Sequence, residues 1–267
     1  MKFTLNDEID LHKIAHSGQC FRWRDLGDGS FLIPAFGKVV KVTGEQDLEL
    51  SCTEEEFKDI WYQYFDLGTN YSSIRNMIDE KDSFLYNAGQ AGKGMRILRQ
   101  DPFETLISFI ISQRKSIPAI KTSIEKVCRA LGHPVGVFEG EEIFSFPDLN
   151  DFMNADISKL EECSLGYRLP YILKTVEELG QNPGLLDEMK AMNDKDLIDR
   201  LMKFYGVGIK VANCTGLFGF HRIDLFPVDV WIKRALSDNY KDGFPFEKYS
   251  PYNGIMQQYI FEYYRSA

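Results

Sequence analysis

The chain lacks what several large protein classes require. No apolar run in its 267 residues approaches the ~20 needed to cross a membrane. It has only five cysteines, Cys20, Cys52, Cys128, Cys163 and Cys214, odd in number and never two residues apart. That spacing excludes a zinc ribbon and the closely spaced four-cysteine cluster of an iron–sulfur protein. The stretch Met1–Glu8 turns acidic where a secretory signal would be greasy. Reduced thiols in an intracellular protein are therefore expected, with no membrane association.

Positive charge is also scarce. A formal net charge of −9 argues, by itself, against a nucleic-acid partner. The distribution reverses that argument. Between Lys93 and Arg129 eight Lys/Arg stand against three Asp/Glu, and between Lys203 and Leu236 five stand against two. Local patches of this kind, rather than the global sum, decide phosphate affinity.

Internal repeats, low-complexity tracts and long linkers are absent as well, so the elements must pack directly on one another. Ser30–Phe36, Lys38–Thr43 and Asp47–Cys52 alternate apolar and polar positions between Gly and Asp breaks and read as short antiparallel strands. From Thr53 the period changes. Thr53 and Glu56 form a capping-box pattern ahead of Phe57, Ile60, Trp61 and Tyr64, which share a helical face. Asp101-Pro102-Phe103-Glu104 is a second strong start, opening a helix apolar nearly all round. Further helices fit Ile117–Leu131, Ile157–Cys163, Pro170–Leu179, Asp194–Phe204, Ile209–Phe218, Asp229–Asn239 and Pro251–Tyr264. The class is α+β: an N-terminal antiparallel β part over residues 1–92 and an all-α part over 93–267.

Two of these helices flank Tyr205-Gly206-Val207-Gly208. Glycines permit positive φ and close backbone approach, and the next helix presents free N–H groups at its positive end. Such a hairpin can grip a nucleic-acid backbone without reading sequence, or it can be an ordinary connection between helices. Lys210 then stands in the first turn, where the helix dipole disfavours a cation. That placement suits an amine that must act as a neutral nucleophile. Cys214, four residues on, shares its helical face. Downstream comes Pro227-Val228-Asp229-Val230-Trp231, in which Asp229 reads as a helix N-cap. A carboxylate fixed there could also stabilise positive charge developing on a sugar carbon.

Gly206-Val207-Gly208-Ile209-Lys210-Val211-Ala212 followed by Pro227-Val228-Asp229 resembles the helix-hairpin-helix Gly/Pro–Asp superfamily of DNA glycosylases. Within it, the chain looks like an 8-oxoguanine DNA glycosylase along nearly its whole length. Ser17–Trp23, Leu98–Pro102, Leu165–Arg168 and Tyr252–Phe261 match that family's segments in order. The resemblance implies a TATA-binding-protein-like N-terminal β domain and a helical glycosylase domain. It implies base flipping, attack of Lys210 at C1′, a Schiff base and β-elimination, with Asp229 supporting the sugar's charge and aligning Lys210. Gly18 would supply a carbonyl that accepts from N7–H of the oxidised purine, where guanine offers an acceptor. Phe261 and Cys214 would sandwich the base, Gln257 would bond its Watson–Crick edge, and Pro227 would border the pocket. Tyr167 would be the wedge in the vacated stack and Arg168 the reader of the estranged cytosine. Gly206, Val207 and Gly208 would hold the DNA backbone.

Departures are local. Ser112-Gln113-Arg114-Lys115-Ser116 stands where the family has an asparagine-rich loop, which leaves Gln113 and Arg114 as the candidate DNA contacts there. A second arginine that commonly reads the cytosine is replaced near Ala119. Trp231 takes the place of a histidine at a phosphate contact. No cofactor or catalytic metal is implied. The implied partner is double-stranded DNA containing oxidised guanine, bound by a monomer, in the cytoplasm of a bacterium or archaeon or in a eukaryotic nucleus. Two alternatives stay open: an alkylated-base glycosylase using water and Asp229, and a non-catalytic helix-hairpin-helix DNA-binding protein.

Overall fold

The computed structural model describes residues 1–266, with side chains described to residue 265. Five strands form an antiparallel sheet in the order β1-β5-β4-β3-β2. They are β1 (Lys2–Thr4), β2 (Arg24–Asp25), β3 (Phe31–Ala35), β4 (Lys38–Thr43) and β5 (Asp47–Leu50). The three longest strands are those expected from the alternation. β3 and β4 join through Phe36-Gly37, both at positive φ, the geometry that a two-residue hairpin turn demands. Register sets Phe31 opposite Val42 and Ile33 opposite Val40, all four buried. β1 and β2, at three and two residues, carry too little periodicity to be read from sequence.

Thr53 and Glu56 make the capping box that their spacing predicts. The helical run from Glu54 to Tyr64 then opens into a π-turn over Phe57–Trp61. It packs Trp61, Tyr64 and Phe65 in an aromatic cluster with Trp23, whose Nε1 donates to Tyr64 Oη at 2.7 Å. Asp101 caps the helix Pro102–Ser112 by accepting from Glu104 N at 2.8 Å. Eight of that helix's eleven residues are buried, as its sequence predicts, because it runs through the core against the helix Ile209–Phe218.

The second part is mostly helical but not all-α. β6 (Pro134–Phe138) and β7 (Glu141–Phe144) form a hairpin turning at Glu139-Gly140, both at positive φ. It leans on the N-terminal sheet: a Cβ on Gly136 would lie 2.7 Å from Val39 Cγ1, and the Phe144 carbonyl accepts from Arg22 Nη2. The C-terminal helix Asn253–Ser266 returns to pack on the helix Ser83–Ala91 and against Val230–Asn239. A side chain at Gly92 would strike the ring of Tyr259. The last helix also meets the first fifty residues, where Phe261 lies beside Gly18, and the hairpin helix Ile209–Phe218, where a Cβ on Gly254 would lie 2.6 Å from Leu217 Cδ1; the site forms at this junction.

Candidate active site

A cavity of about 360 Å³ lies at this junction, within the range of small-molecule pockets. Its floor is aromatic: Phe109 stacks on Phe218 with centroids 5.7 Å apart and meets Phe21 edge-on at 5.5 Å. Lys210 enters from the second residue of the helix Ile209–Phe218, with its Nζ 5.2 Å from the Phe109 ring centroid. The helix begins at Gly208, in extended conformation, without a side-chain cap, and nothing lies near the place where a Cβ would project. Its first-turn N–H groups are thus left to an outside acceptor. Gly206 differs: it sits at φ +80°, and a Cβ there would lie 2.3 Å from the Tyr171 ring.

Cys214 stands one turn below Lys210 and is fully buried in the wall. Burial pushes its thiol above the usual range, and Asp229 adds to this, while Lys210 pulls it down by charge and by a hydrogen bond. The sulfur stays protonated and forms an uncharged, polarisable surface suited to an aromatic ring. Asp229 serves two purposes. Its Oδ1 caps the helix Val230–Asn239 by accepting from Ile232 N at 2.8 Å, and this fixed carboxylate also lines the cavity.

The opposite wall comes from distant parts of the chain. Gly18, at φ +77°, sits against the edge of the Phe261 ring: a Cβ there would be 4.0 Å from Phe261 Cζ. Its neighbours are held firmly. Ser17 Oγ donates to Ile14 O at 2.8 Å, Gln19 Nε2 donates to Arg96 O at 2.8 Å, and Gln19 Oε1 accepts from Leu98 N at 2.8 Å. Gln257 is buried one turn before Phe261, and Gln258 Nε2 donates to its Oε1 at 2.9 Å. Pro227 and the half-exposed Trp231 complete the rim.

The cavity thus brings together Lys210, Asp229, Gly18, Phe261, Cys214, Gln257, Pro227 and Trp231. The remaining predicted residues gather beside it, around Gln113. The Gln113 side chain donates to Gly206 O at 3.1 Å. Its main-chain carbonyl accepts from Arg168 Nε at 2.8 Å, from Arg168 Nη2, and from Tyr167 Oη at 3.3 Å. Tyr167 is exposed, whereas Arg168 is buried, with its guanidinium 4.4 Å from the Tyr167 ring centroid. Arg114 stands exposed at the loop tip with φ +52°, a conformation costly for a residue with a Cβ. Val207 is buried and its N–H donates to Phe204 O at 3.0 Å, so only its carbonyl side can face a ligand.

Six polar residues that were not among the candidate site residues also line the cavity: Ser17, Ser112, Lys115, Ser116, Gln258 and Arg265. Lys115 is tethered to Ser123 Oγ and, at 2.6 Å, to Ser164 O. Burial, with Arg168 and Lys126 nearby, lowers its pKa. Its position in the loop that departs from the asparagine-rich pattern was the available signal. Among the described residues, no cluster of three or more His, Cys, Asp or Glu side chains could hold a metal ion, and no helix is long and apolar enough to cross a membrane.

Comparison with known proteins agrees along the whole chain. Residues 2–106 match the family described as 8-oxoguanine DNA glycosylase, N-terminal domain, and residues 107–241 match the HhH-GPD superfamily of base excision DNA repair proteins. An N-glycosylase/DNA lyase of Saccharomyces cerevisiae is 34% identical, over 90% of this chain and 71% of its own. A probable N-glycosylase/DNA lyase of Methanothermobacter thermautotrophicus is 28% identical over 100% of this chain and 96% of its own. Among solved structures, the Clostridium acetobutylicum 8-oxoguanine glycosylase/lyase in complex with double-stranded DNA, with cytosine opposite 8-oxoguanine, superposes with a TM-score of 0.91. It is 35% identical, and the match covers 100% of this chain and 98% of that one.

Proposed function

Because the chain belongs to the 8-oxoguanine DNA glycosylase family of the HhH-GPD superfamily, we propose that it excises 8-oxoguanine from duplex DNA and then cuts the strand by lyase chemistry. The observation that carries this reading is one cavity holding Lys210 and Asp229 against Cys214 on one side and Gly18, Phe261 and Gln257 on the other.

The damaged nucleotide must leave the stack, at a cost of a few kcal/mol, before its C1′ can meet an amine. The hairpin supplies the grip, with uncapped N–H groups after Gly208 taking a phosphate and Tyr167 filling the gap. In the cavity the flipped purine lies between the Cys214 sulfur and the Phe261 ring. The Gly18 carbonyl accepts from N7–H of 8-oxoguanine and faces a lone pair in guanine. One mispaired buried polar group costs about 1–3 kcal/mol, so this contact contributes to discrimination alongside Gln257 at the other edge.

Lys210 Nζ then attacks C1′. As the N–C1′ bond forms, the bond from C1′ to N9 breaks and its electron pair leaves with the base. Positive charge on the sugar is met by Asp229, held in place by its cap to Ile232. Loss of a proton from the bound amine gives a neutral aminal; the C1′–O4′ bond then breaks, O4′ takes up a proton as the sugar ring opens, and the nitrogen lone pair completes the Schiff base. Removal of a C2′ proton next expels the 3′ phosphate, which is the β-elimination step. Asp229 with water could release a base without an amine, as in alkylated-base glycosylases, but a lysine lining the same cavity favours the covalent route.

The test is single-turnover excision on an 8-oxoguanine duplex by the native chain and by Lys210→Gln. Loss of both base release and strand cleavage in the variant supports the proposal. Base release that persists undiminished favours the water route, and no turnover by the native chain on any lesion favours a non-catalytic binding protein.

A further inference from the structure

Arg265 occupies a position with no part in the chemistry above, yet it lines the cavity. It lies one helical turn beyond Phe261, with its guanidinium 5.3 Å from that ring's centroid, near enough for a cation–π contact. Its Nη1 donates to the carbonyl of His16 at 2.7 Å, and its Nη2 pairs with Glu262 Oε2 at 3.3 Å. The His16 carbonyl ends the short helix Leu11–His16, where unpaired carbonyls favour a cation. It also lies two residues before Gly18.

These contacts define the mechanics of the Gly18 peptide. On its downstream side, Gln19 is bound to Arg96 and Leu98 through its side-chain amide. On its upstream side, the long-range tie is Arg265, reaching 249 residues back along the chain. The same guanidinium backs Phe261, whose ring edge abuts Gly18. One side chain therefore touches both the segment leading into Gly18 and the aromatic ring of the opposite wall.

We propose that Arg265 is a positioning residue for base discrimination: it holds the Gly18 carbonyl and the Phe261 ring in register and acts only through the base-binding wall. This rests on the reading of the cavity as an oxidised-guanine pocket. It predicts a separation that general destabilisation would not produce, because an abasic site has no base for that wall to hold. Cleavage at an abasic site draws on Lys210, Asp229 and the grip on the DNA backbone, but not on the base-binding wall.

The experiment uses the full chain as wild type, Arg265→Met, which keeps the stem without donors, and Arg265→Lys, which keeps the charge and a donor. Each is assayed in single turnover on duplexes carrying 8-oxoguanine, guanine or a preformed abasic site. For Arg265→Met we expect 8-oxoguanine excision to fall about tenfold, the effect of one lost hydrogen bond. The preference for 8-oxoguanine over guanine should fall by a similar factor, abasic-site cleavage should stay within about twofold, and Arg265→Lys should recover most of the loss. An unchanged preference overturns the proposal. So does a parallel loss at the abasic site with a shallower salt dependence, which would mark Arg265 as a phosphate contact. A wild-type chain that cleaves the abasic site but not 8-oxoguanine would instead defeat the assignment of the pocket.

Discussion

The guanidinium of Arg168 is folded back onto the main-chain carbonyl of Gln113, which accepts from Nε at 2.8 Å and from Nη2. Its Nη1 reaches Leu165 O at 3.3 Å, so each nitrogen of the group has a partner. A reader of the estranged base must exchange these bonds for bonds to DNA. Gln113 also holds Gly206 and accepts from Tyr167, so it joins the proposed wedge to the hairpin.

Arg168→Ala should therefore lower excision opposite cytosine by about ten- to hundredfold, in line with ~1–3 kcal/mol for a good base contact. Rates opposite cytosine, thymine, adenine and guanine should converge. Single-turnover rates on the four duplexes measure this. A uniform loss with the preference intact would mean that Arg168 only supports the loop.

The two hairpin glycines should respond differently. Gly206→Ala places a Cβ against Tyr171 at positive φ and should destabilise the fold by about 1–3 kcal/mol, read by urea unfolding. Gly208→Ala meets no protein atom and has ordinary φ, so stability should hold. Its affinity for any duplex should fall, because the methyl group would enter the open space in which the proposed phosphate contact forms. Equal stability losses in the two variants would contradict this assignment.

Much of this was legible in the sequence because it is local. Lys210, Cys214 and Asp229 are placed by a glycine turn, a helical repeat and a cap, each contained within a few residues. Arg265 was not, because it lies outside those motifs and meets the opposite wall through His16, 249 residues away in the chain. The β6–β7 hairpin escaped for a related reason. Pro134 and Gly136 are poor strand formers, and its place is secured by Val39 of the other sheet and by Arg22, which lies just before β2.

Glu104 makes stability depend on pH. Burial pushes its carboxyl up to about 7, although Arg22 lies 3.6 Å away and opposes the shift, while Asp101 reinforces it. The folded chain holds a proton that the unfolded chain releases near 4.5. Its contribution is therefore present at low pH and lost as pH rises from about 4.5 to about 7, by roughly 1–3 kcal/mol at ~1.4 kcal/mol per pH unit. Glu104→Gln should flatten that segment of the stability–pH curve in urea titrations. A variant retaining the slope would place its origin elsewhere.

Phe261→Ala should lower excision of 8-oxoguanine by about ten- to hundredfold, since stacking of a base on an aromatic ring contributes ~1–3 kcal/mol. Cleavage at a preformed abasic site should be little changed. Comparable losses on both substrates would mean that the ring supports the fold rather than the base.

Two lysines line the cavity, and only one is proposed to react. Lys115 is tethered to Ser123 and Ser164, whereas Lys210 lies beside Cys214 and Phe109. Borohydride reduction during turnover on an 8-oxoguanine duplex, followed by peptide mapping of the trapped adduct, separates them. The predicted result is a single covalent adduct on Lys210, absent in Lys210→Gln. An adduct on Lys115, or none with the native chain while 8-oxoguanine is released, would contradict the account.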